Sequence, residues 1–295
     1  MEGQYPLKLF AFGLGYSALH YIRACRKDLA SVAGTVLSTE KRDSLRREGI
    51  DAFVMNDEGI DAEIPAAAEA ADAWLVSIAP DAGGDPVLRM LASHPLRTMP
   101  RTIVYLSTIG VYGDHAGAWV DESTPAKPTS TRSQWRLDAE NRWIDYAKAH
   151  GCDLHVLRLA GIYGPGRSAI DNLREGKARR IVKKGQVFNR IHVADIAQSI
   201  AACLARLRTG ETSIWNITDN EPCPPQDVVA YAADLLGLEP PPEIAFETAQ
   251  MTPMARSFYS ENKRVSNRAM REDLGVALLC PTYREGLQSL LVQEK

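Results

Sequence analysis

Short apolar runs alternate with charged, helix-prone segments through the first half of the chain. Leu7–Phe12, Val32–Leu37, Ala52–Met55, Ala73–Ala79, Arg101–Ser107 and Leu154–Leu159 are apolar stretches of strand length. Continuous runs of this kind suit strands buried on both faces. Between them, Tyr16–Lys27, Glu40–Glu48 (stopped by Gly49), Asp85–Ser93 and Gln134–His150 carry helical patterns. Strands alternating with helices at this pitch predict βαβ units and a parallel sheet.

The rhythm changes after Thr108. Residues Gly113–Ser130 are rich in Gly, Asp, Thr and Pro and read as one long loop. Beyond Gly164 the pattern predicts short helices, a strand at Val187–Val193, a helix at Ala194–Leu207 and a strand at Ser213–Ile217. A helix at Gln226–Leu236, a rigid Pro240–Pro242 connector and helices at Asn267–Leu274 and Tyr283–Leu291 complete the chain.

The first strand runs directly into Gly13-Leu14-Gly15-Tyr16-Ser17-Ala18, a G-x-G-x-x-A turn opening a helix. Gly13 permits the tight turn, Gly15 lets backbone approach a pyrophosphate, and Ala18 lets the helix pack on the strand. The helix start offers N–H groups and a positive dipole end to phosphate. Gly13, Leu14, Gly15, Tyr16 and Ser17 are therefore candidate cofactor residues, with Ala79 at the exit of a later strand. The fold class is α/β: a Rossmann-type doubly wound parallel sheet with a smaller C-terminal substrate-binding α/β region. The expected boundary puts the dinucleotide domain at 1–165 and the substrate region at 166–295, with segments around 187–218 returning to the former.

The second strand should end in the residue that reads the adenosine ribose. It ends Leu37-Ser38-Thr39-Glu40-Lys41-Arg42, with no acid at Leu37 or Ser38 and Glu40 slightly late. Ser38, Thr39, Lys41 and Arg42 can hold a 2′-phosphate through hydroxyl and charge contacts, while Lys41 and Arg42 serve equally well as solvated helix-start residues. The balance leans to NADP over NAD.

Composition narrows the classes of function. The chain has 295 residues, 45% of them apolar and 24% charged, as in ordinary globular proteins. Acids exceed bases, giving a net charge of −3, which argues against a nucleic-acid partner. Five cysteines form no C-x-x-C pair and six histidines form no H-E-x-x-H, so neither a disulfide framework nor a metal site is expected. No apolar run is long enough to span a membrane. Leu9–Leu19 follows Lys8 in the manner of a signal segment, but Gly13 and Gly15 interrupt it and no cleavage pattern follows. A buried strand and helix start is the better reading, and the expected compartment is the cytoplasm.

Five segments, in order, carry a resemblance. Ser107-Thr108-Ile109-Gly110-Val111-Tyr112-Gly113 follows the phosphate turn; then come Arg158-Leu159-Ala160-Gly161-Ile162-Tyr163-Gly164-Pro165-Gly166, Arg190-Ile191-His192-Val193-Ala194-Asp195 and Trp215-Asn216-Ile217-Thr218-Asp219. From about residue 7 to residue 292 the chain resembles the extended short-chain dehydrogenase/reductases, the group of NAD(P)-dependent epimerases and dehydratases. The resemblance implies a nicotinamide cofactor and a catalytic hydroxyl at Thr108, with Ser107 beside it. It also implies a tyrosine acid/base and a lysine in Y-x-x-x-K on the next helix, followed by a glutamate.

That dyad is absent. With Glu140 in the glutamate position, Arg136 stands for the lysine and Arg132 for the tyrosine. Arginine does not give up its proton, so Arg132 cannot be the base. The pattern is similar to the family's atypical branch. Arg132 and Arg136, four residues apart, share a helix face and suit a carboxylate or phosphate; solvation or pairing with Asp138 or Glu140 is the competing reading. Tyr112 and Tyr163 are further candidate proton carriers, with packing the commoner role for each. His192, Asp195, Asp121 and Glu122 read as structural.

Two functions stay open. One is an NAD(P)-dependent oxidoreductase or epimerase acting on a small, anionic or sugar-nucleotide substrate. The other is a catalytically silent dinucleotide-binding sensor or scaffold. The resemblance also implies a homodimer through the helix carrying Trp135, Trp143, Ile144 and Tyr146.

Overall fold

The computed structural model describes residues 6–206 and 210–293. It divides into two compact units: Met1–Ser107, Gln134–Arg158 and Ala197–Trp215 form the first, and Thr108–Ser133, Leu159–Ile196 and Asn216–Lys295 the second. The chain crosses between them repeatedly.

The sheet strands are β1 (Leu7–Phe12), β2 (Leu29–Val36), β3 (Asp51–Asn56), β4 (Gly59–Ile60), β5 (Ala73–Val76) and β6 (Thr102–Thr108). After β7 (Trp119–Val120) come β8 (Asp153–Leu159), β9 (Gly161–Tyr163), β10 (Arg180–Val182), β11 (Arg190–His192) and β12 (Thr212–Ile217). One eight-stranded sheet runs β12-β8-β6-β5-β1-β2-β3-β4. Its β6-β5-β1-β2-β3 ladder is parallel and β4 folds back antiparallel on β3. The order reverses direction around β1, as in a doubly wound sheet.

Helices α1 (Tyr16–Ala24), α2 (Thr39–Arg47), α3 (Ile64–Glu69), α4 (Pro86–Ser93) and α5 (Thr131–His150) follow their strands. On one sheet face Phe10, Phe12, Trp74, Val76, Ile103 and Tyr105 pack against Ile64 of α3, Met90 of α4 and Trp143 of α5. The alternate residues Leu9, Ala11, Leu75, Val104 and Leu157 are buried too, so both faces are covered and the strands read as unbroken apolar runs. Trp143 sits inside this core and donates its Nε1–H to Asp85 Oδ2 at 3.1 Å. Part of the apolar surplus expected to drive dimerisation is therefore used within the unit. Asp85 also accepts from Val87 N and Leu88 N, capping α4.

The second unit holds α6 (Ala169–Arg174), α8 (Pro225–Leu235) and α9 (Tyr283–Gln293), and α7 (Val193–Ala205) begins in it. Its core gathers Tyr163, Ile170, Val228, Ala232, Tyr283 and Leu287. The expected loop Gly113–Ser130 contains β7, which pairs in parallel with β14 (Arg264–Val265), while β13 (Glu243–Ala245) pairs with β10. Trp119 of β7 is 62% exposed. Two boundaries are corrected: β5 stops at Val76 rather than Ala79, and the strand expected over Val187–Val193 is confined to Arg190–His192. Leu207, the expected end of α7, lies outside the described residues. No described helix is long and apolar enough to cross a membrane.

Candidate functional site

The G-x-G-x-x-A turn takes the conformation its glycines require. Gly13 has φ +95°, and a Cβ there would lie 2.7 Å from Ser77 Oγ. Gly13 N donates to Thr35 Oγ1 at 2.9 Å and Leu14 N to Thr35 O at 2.7 Å. Leu14 therefore builds the turn from inside: its side chain is buried and its N–H is used, which corrects its assignment as a cofactor contact. Gly15 differs. A Cβ there meets nothing within 4 Å, and the start of α1 has no side-chain cap. Open space at a helix start without a side-chain cap fits a dinucleotide pyrophosphate. Tyr16 and Ser17 open the helix, Ser17 with its side chain buried. Thr35 and Gly34 were missed. Gly34 leaves room for Ala11 O, 2.4 Å from where its Cβ would stand, but only the fold brings these atoms together.

At the end of β2, Ser38 caps α2 by accepting from Lys41 N at 3.3 Å. The Glu40 carboxyl is held below its ordinary range by its own backbone N–H and by the Ser38 and Thr39 hydroxyls. These hydroxyls thus face a carboxylate, contrary to what a 2′-phosphate site needs. Arg42 Nε donates to Asp43 Oδ1 at 2.9 Å, so its charge is partly matched. Ala79 is exposed beyond the end of β5.

Ser107 faces inward: its Oγ donates to Glu140 Oε1 at 2.5 Å, and Arg158 meets the same carboxylate through Nη2 at 2.8 Å and Nε at 3.3 Å. All three are buried. A hydroxyl committed to a buried ion pair is not open to substrate, which corrects Ser107 as a catalytic candidate. Arg136 donates to Leu106 O and lies over the Tyr105 ring, 5.8 Å from its centroid. Arg132 is exposed, with Nη1 3.6 Å from Met254 Sδ. The two arginines therefore engage different partners and do not form the joint anion fork their spacing predicts.

Thr108 Oγ1 accepts from Gly110 N at 3.1 Å and is half-buried. The two tyrosine candidates are withdrawn. Tyr112 is fully buried and donates to Asn216 Oδ1 at 2.8 Å. Tyr163 is buried beneath Gly286, where burial pushes its phenol above the ordinary range. His192 Nδ1 accepts from Ala194 N, and Asp195 accepts from Leu279 N and Cys280 N. Asp121 closes its own turn onto Ser123, and Glu122 accepts from Asn216 N at 2.7 Å.

Residues 18–218 match the model of the NAD-dependent epimerase/dehydratase family. The chain is 29% identical over 246 residues to protein YeeZ of Escherichia coli, covering 79% of this chain and 85% of that protein. It is 46% identical to a solved protein of unknown function from Silicibacter pomeroyi, with a TM-score of 0.85 and coverage of 97% and 99%. The UDP-glucuronic acid 4-epimerase of Bacillus cereus, solved with NAD, shares the fold at 18% identity, with a TM-score of 0.76 and coverage of 97% of each chain.

Proposed function

Since the chain belongs to the NAD-dependent epimerase/dehydratase family, we propose that it is a nicotinamide-dependent oxidoreductase of epimerase or dehydratase type acting on an anionic, sugar-nucleotide-like substrate. The observation that carries this reading is the open space over Gly15 at the uncapped start of α1. A bound nicotinamide dinucleotide supplies hydride exchange at a substrate carbon. The backbone from Gly15 to Ser17 holds the pyrophosphate, with Thr35 fixing the turn through Gly13 N and Leu14 N. Glu40, aligned by Ser38 and Thr39, accepts from ribose hydroxyls. That placement turns the balance from NADP toward NAD, because a carboxylate accepts from a diol and repels a 2′-phosphate. Thr108 orients a substrate oxygen, and exposed Arg132 attracts the substrate's negative group.

Calorimetry tests the cofactor assignment. Gly15→Val should fold normally, yet lose NAD binding because the new side chain enters the open space. Unchanged affinity in the folded variant moves the cofactor away from this turn. NADP binding more tightly than NAD would overturn the Glu40 assignment.

One observation favours a second reading, a catalytically silent dinucleotide sensor. Arg132 stands where the family's tyrosine stands, and the nearby phenols Tyr112 and Tyr163 are both buried. Nicotinamide reduction with a panel of sugar nucleotides separates the two: cofactor binding without turnover supports the sensor.

A further inference from the structure

We infer that Met254 is an oxidation site, at which a hydroperoxide converts the thioether to a sulfoxide that captures Arg132 and so weakens anion binding. This rests on the reading above that Arg132 attracts the substrate's negative group, and adds to it a reversible redox control.

Met254 lies on the short helix Pro253–Ser257. Thr252 Oγ1 caps that turn by accepting from Ala255 N at 3.2 Å, and Ser257 Oγ donates to Met254 O at 2.7 Å. Arg256 Nη2 ties the turn to Ala249 O at 2.9 Å. From this anchored backbone the Met254 side chain is 51% exposed, whereas Met55, Met90 and Met270 are buried and Met99 and Met251 are half-buried. An oxidant must reach the sulfur, so among the described methionines Met254 reacts first.

The partner makes the site consequential. Arg132 Nη1 stands 3.6 Å from Met254 Sδ, and among the described residues Arg132 has no carboxylate partner. A thioether is a weak acceptor, so it holds the guanidinium loosely. One sulfur lone pair faces Arg132, and exposure leaves the other to attack a peroxide. That pair forms the S–O bond as the O–O bond breaks. The departing hydroxide takes up the proton left on the transferred oxygen and leaves as water, so sulfur is oxidised and the peroxide reduced. The sulfoxide is polar where the thioether was apolar. Rotation about the Cγ–Sδ bond brings its oxygen to a guanidinium already at hand, with no backbone movement. Donors spent on the sulfoxide are lost to a phosphate or carboxylate. Methionine sulfoxide reductases, one for each sulfur epimer, restore the thioether.

Hydrogen peroxide treatment of the full chain, followed by peptide mass mapping, should add one oxygen to Met254 ahead of Met55, Met90, Met99, Met251 and Met270. Phenylglyoxal should then modify Arg132 several-fold more slowly, and at the original rate again after reductase treatment. Calorimetry on the NAD-loaded protein should show UDP-glucuronic acid binding about fivefold more weakly once Met254 is oxidised. Met254→Leu should hold its own affinity through the same treatment, and Arg132→Ala should lose nothing further. Oxidation of another of these methionines first overturns this proposal alone, as does an Arg132 that reacts as fast beside the sulfoxide as beside the thioether. Protection of Arg132 with no change in UDP-glucuronic acid affinity, matched by an Arg132→Ala variant that binds as tightly as wild type, overturns the substrate role of Arg132 and the regulation together.

Discussion

Glu140 and Arg158 form a buried two-point ion pair, Oε2 to Nη2 at 2.8 Å and Oε1 to Nε at 3.3 Å. Glu140 is 1% exposed, so removing it takes the two-point carboxylate partner from a buried guanidinium inside the first unit. Glu140→Ala should destabilise the protein by about 3–5 kcal/mol, read as a lower urea midpoint with an unchanged slope. A loss below about 1 kcal/mol, the range of a surface pair, would contradict the burial of this contact.

Asp219 sets a second expectation, for pH. Burial pushes its carboxyl up to about 7, well above the ordinary value. The folded state therefore holds a proton that the unfolded chain releases near pH 4. The stabilisation is complete below that unfolded value and is lost as pH rises through the folded one, at up to about 1.4 kcal/mol per pH unit. Asp219→Asn should flatten stability between pH 4 and 7 and exceed wild type at pH 8. Urea unfolding across that range checks it; a variant whose slope with pH matches wild type would refute it.

Arg132 is exposed and, among the described residues, makes only a weak contact to sulfur. Arg132→Ala should leave stability within about 0.5 kcal/mol of wild type and NAD affinity unaltered. Binding of UDP-glucuronic acid should weaken by about 1 kcal/mol, the upper range for a solvent-screened charge pair. Arg132→Lys should recover part of that, since a point charge lacks the guanidinium fork. Equal affinity in wild type and Arg132→Ala would remove Arg132 from the substrate site.

The homodimer remains an expectation with a specific surface. Leu88, Leu96, Met99 and Tyr146 line an open, largely apolar groove of the first unit, with Ala92 exposed on its edge. Light scattering at micromolar concentration should give the mass of two chains, and Ala92→Arg should shift it to one. A wild-type mass of one chain excludes this assembly.

Local pattern and tertiary placement divided what was legible in the sequence. Leu7–Phe12 and the Gly13–Ala18 turn were readable because strand burial, glycine conformation and helix start are all encoded within a dozen neighbouring residues. The pairing of Trp119 with Arg264 was not, since nothing in Gly113–Ser130 signals a partner so far along the chain. Tyr112 and Tyr163 looked available because they follow strand ends, yet burial decides their chemistry and burial depends on Asn216 and Gly286. Glu140 was the residue from which the register of α5 was read, but its partner Arg158 lies on strand β8, and no local signal joins the two.

Trp119 makes the second unit optically distinct. The other tryptophans, Trp74, Trp135, Trp143 and Trp215, belong to the first unit, and Trp74 and Trp143 are sealed in its core. Red-shifted emission that acrylamide quenches should therefore come mainly from Trp119, with a smaller share from half-buried Trp135, and blue-shifted, protected emission from the core of the first unit. Heating the protein while recording both bands would show whether the two units melt together or in sequence. Ligand-induced changes in the red band that a Trp135→Phe variant retains would report events in the second unit without any attached dye.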